Sequence, residues 1–322
     1  MSATKHPRAL AQAYLVYRRS LGFQLNYDEK ALLNFVEFAD HWKHRGPLTV
    51  ELAVRWAKLP EDASGCYQAR RLAVVRGFAR YCAVFDPKTQ VPPRGLVGSV
   101  YRRGKPYIYS PKQIEELVHA ATKLGPKGSL RPRTYTTLLG LLACTGLRIS
   151  EAMNLRWQDV DLEQGVLQIR QTKFRKSRLV PLHPSVVGPL RLYVRCRRTQ
   201  GLGGCSANFF IGSTGRPLAY STVSATFRGI CRRLGWHDCP GQHGPRIHDL
   251  RHTFAVRCLL GWYEQGVNVA HAVAALSTYL GHGKVTDTYW YLTSTSELMA
   301  MAARGFERFA ATDQEGGSDE SQ

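Results

Sequence analysis

A stretch rich in proline, glycine and basic residues at positions 91–106 divides the chain into two parts. It reads V-P-P-R-G-L-V-G-S-V-Y-R-R-G-K-P and contains three prolines, three glycines and four basic residues. Neither a regular helix nor a strand is expected there, because proline lacks a backbone N–H and glycine has a high entropic cost of ordering. A chain of 322 residues is also longer than the length at which proteins usually divide into more than one domain, each with its own hydrophobic core. We therefore predict a first domain of residues 1–91, a basic linker of residues 92–108 and a second domain of residues 109–311.

The first domain is patterned as a set of helices. Apolar residues recur at intervals of three and four over residues 32–42 and again over residues 72–82. Arginines occupy the other faces of the second of these helices, as expected when one side packs and another contacts phosphate, although a basic face is often merely solvated. We predict that this domain and the linker contact DNA through Arg70, Arg71, Arg76, Arg80, Arg102, Arg103 and Lys105.

The second domain contains both helical and extended patterns. Ser110-Pro111 is typical of a helix N-terminus, and helical spacing returns along most of the chain that follows. Between residues 158 and 182 the apolar period changes to that of strands, which predicts three short strands joined by turns, and residues 208–211 predict one more. The expected fold class is therefore α+β, mainly α with a small antiparallel β-sheet.

The charge of the chain indicates a polyanionic partner. Its formal net charge is +20 and its pI is near 9.9, whereas residues 312–322 contain acidic residues and no Lys or Arg. No segment approaches the ~20 apolar residues that a membrane span requires, so double-stranded DNA is the expected partner and a membrane is not. A soluble protein with a basic surface would have the same composition. No signal peptide is visible, so we expect a protein of the bacterial cytosol or nucleoid that ends in a disordered acidic tail.

Two stretches carry side chains suited to binding an anion. His248 and Arg251 are three residues apart, so a helix would place them on one face. Upstream, T-G-L-R-I-S-E places Arg148 and Glu151 at the first turn of a new helix, where free N–H groups and the helix dipole attract anions. The guanidinium groups of Arg148 and Arg251 can together hold both non-bridging oxygens of one phosphodiester, and His248 and His282 can serve as a base and a further donor.

A zinc site is the competing interpretation of H-D-L-R-H at residues 248–252, because its two histidines have the spacing of zinc-binding helices. Asp249, however, is one carbon shorter than the usual glutamate, and a metal would share its face with Arg251. No third ligand is evident. We therefore predict no metal site and expect His252 to be a buried, hydrogen-bonded structural histidine.

A proton donor and a nucleophile complete the phosphodiester site. The predicted hairpin tip carries Lys173, which can protonate a leaving alkoxide, together with Arg175 and Lys176, which contact DNA or are simply solvated. Tyr291 can form a covalent phosphodiester with DNA, so neither a metal nor ATP is required and the bond energy is conserved. An isolated tyrosine is far more often a packing residue, and Tyr289 is a second candidate two residues away.

The order R…K…H-x-x-R…H…Y resembles that of the tyrosine recombinases, the phage lambda integrase family. The boxes that carry the resemblance are T-G-L-R-I-S-E, T-K-F-R-K-S-R-L-V-P-L, H-D-L-R-H-T-F-A and L-G-H, with Tyr291 nine residues after His282. The resemblance covers residues 110–292 in order and, more loosely, the helical first domain and linker. Recombinases carried on transposons and plasmids also have segments similar to L-S-T-Y-L-G-H and T-Y-W-Y-L. The segment between Arg251 and His282 is longer than the family pattern.

The resemblance implies site-specific strand exchange through a 3′-phosphotyrosyl intermediate. It also implies a homotetramer acting on two DNA sites, with each duplex gripped between the two domains and the C-terminal helix, residues 296–309, docking on a neighbouring subunit. The implied roles are Tyr291 as nucleophile, Lys173 as general acid, His248 as base, Arg148, Arg251 and His282 as the oxyanion clamp, and Glu151 as the residue that orients the clamp.

Two alternatives to a recombinase stay open. A DNA-binding regulator could keep the fold without reacting, although all the expected side chains are present. A type IB topoisomerase-like enzyme could nick and close DNA without pairing two sites. The helical first domain and its linker favour the recombinase.

Overall fold

The chain separates into two units, Met1–Gly104 and Lys105–Gln322, in the computed structural model. The structure describes residues 7–99, 106–170, 177–237, 244–293, 295 and 298–300. Each unit has its own hydrophobic core, as expected for a chain longer than one core comfortably supports. None of the helices in these ranges has both the length and the apolar character to cross a membrane.

The first unit is helical, as the apolar spacing predicts. Thr49 and Ser64 cap two of its helices, because their hydroxyl oxygens accept the backbone N–H groups of the first turn. The apolar faces meet in a core around Trp56, whose ring packs edge-on against Phe35 with the centroids 5.3 Å apart. The helices are α1 (Pro7–Ser20), α2 (Asn26–His41), α3 (Val50–Lys58) and α4 (Gly65–Ala83).

Arg71 belongs to this core and not to a DNA-binding surface. It is only 8% exposed, and its guanidinium lies 3.8 Å from the centroid of the Trp56 ring. Its Nη2 also donates a hydrogen bond to the Trp56 carbonyl at 2.9 Å. These contacts correct the prediction that Arg71 contacts DNA, because the cation–π and hydrogen-bond interactions engage the charged group inside the unit.

The other arginines of α4 are more accessible. Arg70 and Arg80 are exposed, whereas Arg76 is half-buried and donates hydrogen bonds to the carbonyl oxygens of Pro92 and Pro93. Arg76 therefore attaches the start of the basic stretch to α4. The predicted DNA contacts that lie outside the described residues are Arg102, Arg103 and Lys105.

The second unit is mainly helical. Ser110 caps its first helix in a capping box with Gln113, which confirms the helix start predicted at Ser110-Pro111. Its helices are α5 (Pro111–Thr122), α6 (Arg131–Thr145), α7 (Ile149–Met153), α8 (Pro184–Thr199), α9 (Tyr220–Arg233), α10 (Asp249–Glu264), α11 (Val269–Leu280) and α12 (Thr286–Tyr289). A 3₁₀ turn, Trp290–Thr293, follows α12 directly.

A three-stranded antiparallel sheet lies between α7 and α8, in the order β1-β2-β3. Its strands are β1 (Val160–Asp161), β2 (Val166–Ile169) and β3 (Arg178–Pro181). Along β3, Val180 is buried and Leu179 is exposed, so the period-2 pattern turns Arg178 towards the protein interior. The predicted fold class, mainly α with a small antiparallel sheet, is confirmed.

The strand predicted at residues 208–211 does not form. This segment makes only isolated bridges, Arg156 to Asn208 and Ile211 to Pro217. Phe209 and Phe210 are both fully buried, so the run lacks the alternation of a sheet with one solvated face. A continuous apolar run marks a core segment here, and its period alone could not distinguish that segment from a buried strand.

Tight packing fixes the end of α6 against α10. Gly146 ends α6 with φ +60°, in the left-handed region that glycine adopts most readily. A Cβ atom at this position would lie 2.5 Å from Cδ1 of Phe254, on α10. The close approach places the loop before α7 directly beside α10, which is the juxtaposition that the candidate site requires.

The turn that carries Tyr291, and Leu298 beyond it, pack onto α10 and α11. Tyr291 and Leu298 are buried in one cluster with Val256, Leu259 and Val273. Leu298 belongs to the apolar stripe predicted for the helix at residues 296–309, and it packs within its own chain. The rest of that stripe lies outside the described residues.

Candidate active site

Glu151 links two arginines at the first turn of α7. Its Oε2 accepts the backbone N–H of Arg148 at 3.1 Å, and its Oε1 accepts Nη1 of Arg148 at 2.7 Å. Arg178, on β3, donates to the same carboxylate through Nη2 at 2.8 Å and Nη1 at 3.2 Å. Burial alone would raise the pKa of Glu151, but the hydrogen bonds and charge of Arg178 and the hydrogen bonds of Arg148 outweigh burial and lower it. Glu151 is therefore an ionised carboxylate that holds two guanidinium groups side by side.

The C-terminal end of α11 is bound by three different arginines. Arg178 donates to the carbonyl of Tyr279 at 2.6 Å, Arg251 to that of Leu280 at 2.7 Å, and Arg148 to that of Gly281 at 3.0 Å. The last carbonyls of a helix lack intrahelical partners and carry the negative end of the dipole, so they attract cations. These contacts assemble the three arginines around the residue that follows, His282.

Arg251 is the most deeply placed of these three. It is 2% exposed, and its Nη1 also donates to the Gly146 carbonyl at 2.8 Å. Burial, and then the charge of Arg148, lower the pKa of Arg251 to about 10, while the Tyr291 hydroxyl and Glu151 act in the opposite direction. Arg251 is therefore still a cation at neutral pH, and Tyr291 is close enough to interact with it electrostatically.

His248 lies immediately before α10, at the helix N-cap position. The residue is nevertheless exposed to solvent. Partial desolvation of its ring in the crowded site, and then the positive charges of Arg251 and Arg148, lower the pKa of His248 to about 4. The imidazole is therefore neutral at pH 7 and can accept a proton.

Tyr291 lies in the 3₁₀ turn after α12, between two histidines. Its hydroxyl oxygen is 3.0 Å from Nδ1 of His252, and its ring stacks on that of His282 with the centroids 6.2 Å apart. The Nδ1 of His282 in turn lies 2.6 Å from the hydroxyl oxygen of Thr288, on α12. Tyr291 is 2% exposed, whereas Tyr289 is 46% exposed, so only Tyr291 faces the group of histidines and arginines.

Comparison with known proteins identifies the family. Residues 108–297 match the model described as the phage integrase family. The chain belongs to the phage integrase family.

Individual relatives and structures agree with this assignment. The chain is 43% identical over 307 residues to the putative integrase/recombinase y4rB of Sinorhizobium fredii, which covers 94% of this chain and 97% of that protein. It is 31% identical over 238 residues to the tyrosine recombinase XerD of Pseudomonas aeruginosa, covering 69% of each protein. Membership of the tyrosine recombinases, inferred from four sequence boxes, is thereby confirmed.

Two solved structures share the fold. The Tn1549 transposon integrase in complex with circular intermediate DNA superimposes with a TM-score of 0.66 at 19% identity, covering 93% of this chain and 99% of that one. The lambda integrase tetramer bound to a Holliday junction superimposes with a TM-score of 0.58 at 18% identity, covering 87% and 78%. In both superpositions, the share of this chain that is covered is larger than the second unit alone.

Most of the predicted site residues of this phage integrase family member are described, and they lie together. The described ones are Arg148, Glu151, His248, Arg251, His282 and Tyr291. Lys173, Arg175 and Lys176 lie outside the described residues. Within those residues, no group of three or more His, Cys, Asp or Glu side chains could hold a metal ion.

Two contributors to the site, Arg178 and His252, were not predicted. Arg178 had a sequence signal, because alternation along R-L-V-P-L places it on the same strand face as the buried Val180. His252 follows His248 by one helical turn, a spacing that also fits a zinc helix, and we expected it to be buried and structural. It is half-buried instead, and its ring nitrogen contacts the Tyr291 hydroxyl.

Proposed function

We propose that this enzyme is a site-specific DNA recombinase that cuts and rejoins strands through a 3′-phosphotyrosyl bond to Tyr291. The observation that carries the proposal is the convergence of residues 148–291 around the end of α11. Two arginines, two histidines and the tyrosine hydroxyl meet there although they are far apart in sequence. Cations beside a hydroxyl nucleophile suit a phosphodiester, whose transition state gains negative charge.

In this reaction Tyr291 Oη attacks the scissile phosphorus, the P–O5′ bond breaks, and the 5′-oxygen takes up a proton. The free 5′-hydroxyl of a partner strand then attacks the phosphotyrosine and releases the tyrosine. Each step forms one phosphodiester bond and breaks one, so the reaction needs no ATP. The electrostatic stabilisation is supplied by the guanidinium groups of Arg148 and Arg251, with His282 as a further donor.

The remaining predicted residues have supporting roles in this proposal. Lys173 is the proton donor for the 5′-oxygen, and His248 is a base that is neutral at pH 7 because its pKa is lowered to about 4. Glu151 and Arg178 are positioning residues, since they act on the phosphate only through Arg148 and the end of α11.

We propose double-stranded DNA as the substrate and a homotetramer on two sites as the working form, within the bacterial cytosol or nucleoid. The net charge of +20 supports a DNA partner, and the tetrameric lambda integrase on a Holliday junction supports the assembly. In the first unit, the exposed Arg70 and Arg80 are suited to phosphate contacts, together with Arg102 and Arg103. In the second unit we propose the same role for Lys105, Arg175 and Lys176. We propose that the helix at residues 296–309 docks on a neighbouring subunit through the residues that follow Leu298, because Leu298 itself packs within its own chain.

The test of this proposal is covalent trapping on nicked suicide substrates that carry candidate recombination sites. The wild-type enzyme is expected to form a protein–DNA band that resists boiling in detergent. Tyr291→Phe should abolish the band and leave DNA binding in a gel shift intact, because the aromatic ring is kept and only the attacking hydroxyl group is lost.

Tyr289→Phe is the matched control, since Tyr289 lies two residues away and is largely exposed. Loss of the band in Tyr289→Phe, and not in Tyr291→Phe, would contradict the assignment of the nucleophile. Binding without any covalent band would favour the silent regulator. Relaxation of supercoiled DNA without exchange between two sites would favour the topoisomerase-like alternative.

A further inference from the structure

We propose that His252 is a further catalytic residue, whose Nδ1 accepts the proton of the Tyr291 hydroxyl as this oxygen attacks DNA. The proposal rests on the proposed function, because it takes Tyr291 as the nucleophile. It assigns the base for Tyr291 to His252 in place of His248, and His248 then serves to hold the His252 ring edge-on. The sequence alone led us to treat His252 as structural.

The geometry is that of an acid and its base. The Nδ1 of His252 lies 3.0 Å from the Tyr291 hydroxyl oxygen, within the range in which a proton passes directly between two heavy atoms. His252 follows Arg251 on α10, so one helix presents a cation and a proton acceptor to the same tyrosine. No rearrangement of α10 is needed for the transfer.

The surrounding rings hold His252 in this orientation. Its ring meets that of His248 edge-on, with the centroids 4.8 Å apart and an interplanar angle of 86°. It meets the indole of Trp290 in the same manner at 5.6 Å. Contacts on two sides restrict rotation of the imidazole, and a base fixed in place contributes more to a proton transfer than a mobile one.

Burial of the tyrosine makes a protein base necessary. Tyr291 is 2% exposed, so bulk water has little access to its hydroxyl. A phenol with an ordinary pKa of ~10 is a weak nucleophile until its proton leaves. Arg251 stabilises the phenolate that forms, because the two groups interact electrostatically. The interaction with Arg251 favours loss of the tyrosine proton, and His252 accepts this proton.

The step balances in both directions. The step requires the neutral tautomer of His252 that carries its hydrogen on Nε2, whose Nδ1 lone pair takes the tyrosine proton while the Oη–P bond forms. The P–O5′ bond breaks, and the 5′-oxygen takes its proton from the general acid proposed at Lys173. In rejoining, the 5′-hydroxyl attacks the phosphotyrosine and returns a proton to that acid, while imidazolium at His252 returns its proton to the leaving tyrosine oxygen.

The experiment measures single-turnover cleavage by His252→Gln and His252→Ala on two suicide substrates. One has the natural 5′-oxygen at the scissile phosphate, and the other has sulfur in its place. A thiolate leaves without protonation, so sulfur bypasses the general acid but not the base. Both His252 variants are expected to cleave either substrate ~10²- to 10⁴-fold more slowly than wild type, the usual contribution of a general base. Lys173→Ala should show the opposite pattern, with sulfur restoring its rate.

Chemical rescue separates a proton acceptor from a structural side chain. Added imidazole should accelerate cleavage by His252→Ala, because it can enter the space left by the ring, whereas His252→Gln keeps that space filled. His271→Ala is the matched control, since His271 is an exposed histidine on α11. It should cleave both substrates at the wild-type rate and should not respond to imidazole.

Three results would overturn the role of His252. Wild-type cleavage rates in both variants would mean that the contact only holds the tyrosine, and recovery on the sulfur substrate would place His252 at the leaving group. A loss of rate in His252→Ala that imidazole does not restore, with His252→Gln active, would assign it a structural role. Failure of the proposed function is distinguishable, because the wild type would then form no adduct or Tyr291→Phe would retain it.

Discussion

Single charged residues in this site depend on partners contributed by other elements. Glu151 is a buried carboxylate that is stable only because Arg148 and Arg178 donate to both of its oxygens. Arg71 shows the same principle in the first unit, where an aromatic face and a carbonyl replace water around a buried cation. At this scale a charged side chain cannot be assigned to DNA or to the core until its partners are known.

We expect Glu151→Gln to destabilise the second unit in a pH-dependent way. The folded-state pKa of Glu151 is lowered, so the ionised carboxylate stabilises the fold at pH values above its ordinary pKa of 4.5. This stabilisation is lost as the pH falls from 4.5 through the lowered pKa. The variant should lose about 1–3 kcal/mol of unfolding free energy at pH 7. The loss should shrink when urea unfolding is repeated near pH 4.

The control for this experiment is Glu163→Gln, in the exposed turn between β1 and β2. It removes one negative charge without removing a buried ion pair and should leave the urea midpoint unchanged at both pH values. Equal destabilisation of Glu151→Gln at pH 7 and pH 4 would mean that ionisation of Glu151 does not contribute to stability.

At the scale of elements, the C-terminal end of α11 organises the site. The loop before α7, strand β3 and helix α10 each contribute one arginine to its last carbonyls. The end of this helix therefore connects three elements that are also linked to one another through Glu151 and the Gly146 carbonyl. His282 and the turn that carries Tyr291 follow directly, so the placement of α11 determines the placement of both.

We predict that Gly281→Ala disrupts this connection and that Gly266→Ala does not. Both glycines have φ +66°, so either alanine should cost about 1–2 kcal/mol of backbone strain. Only at Gly281 would the new Cβ collide, 2.7 Å from Nη1 of Arg178, and Arg178 is held by Glu151 and Tyr279. Gly266 has open space around it.

Cleavage rates and urea midpoints of the two variants test this prediction. Gly266→Ala should lose stability but cleave at the wild-type rate. Gly281→Ala should lose more stability and cleave up to ~10²-fold more slowly, the penalty for a displacement of about 1 Å in a site of this kind. Equal cleavage by both variants would show that Arg178 and the end of α11 do not position the reacting groups.

At the scale of the whole molecule, the excess of positive charge matters more than any single contact. The net charge of +20 is spread over a chain that contains 44 Lys and Arg and only 24 Asp and Glu. Phosphate contacts release counterions, so affinity that arises from them falls as salt concentration rises. Different arginines nevertheless contribute differently, according to whether they are accessible.

DNA affinity is expected to fall by about 10³-fold or more between 50 and 200 mM salt, the range for six or more phosphate contacts. Arg80→Gln should reduce the slope of log affinity against log salt by about one, since Arg80 is exposed. Arg71→Gln should lower stability and leave the slope unchanged, because Arg71 is buried. Fluorescence anisotropy over a salt series measures these slopes, and a salt-insensitive complex would contradict the charge argument.

Much of the fold could be predicted because its signals are local. The cap at Ser110, the helical periods and the alternation along β3 each depend on neighbours within a few residues. The segment 208–211 was misread because a short apolar run is compatible with both a strand and a buried irregular segment. The site residues in the family boxes were predicted by their order, which is a one-dimensional property.

By itself, the sequence determined the fold class, the family and the residues of the family boxes that we propose for the chemistry, but not the roles of His252 and Arg178. Only the tertiary structure decided which side chains touch. Tertiary packing places Arg71 in the core of the first unit and brings Arg178 into contact with Glu151 and the end of α11. It also brings the His252 ring into contact with the Tyr291 hydroxyl. These outcomes depend on contacts between residues far apart in the chain, whose geometry follows from how the elements pack and not from any local pattern.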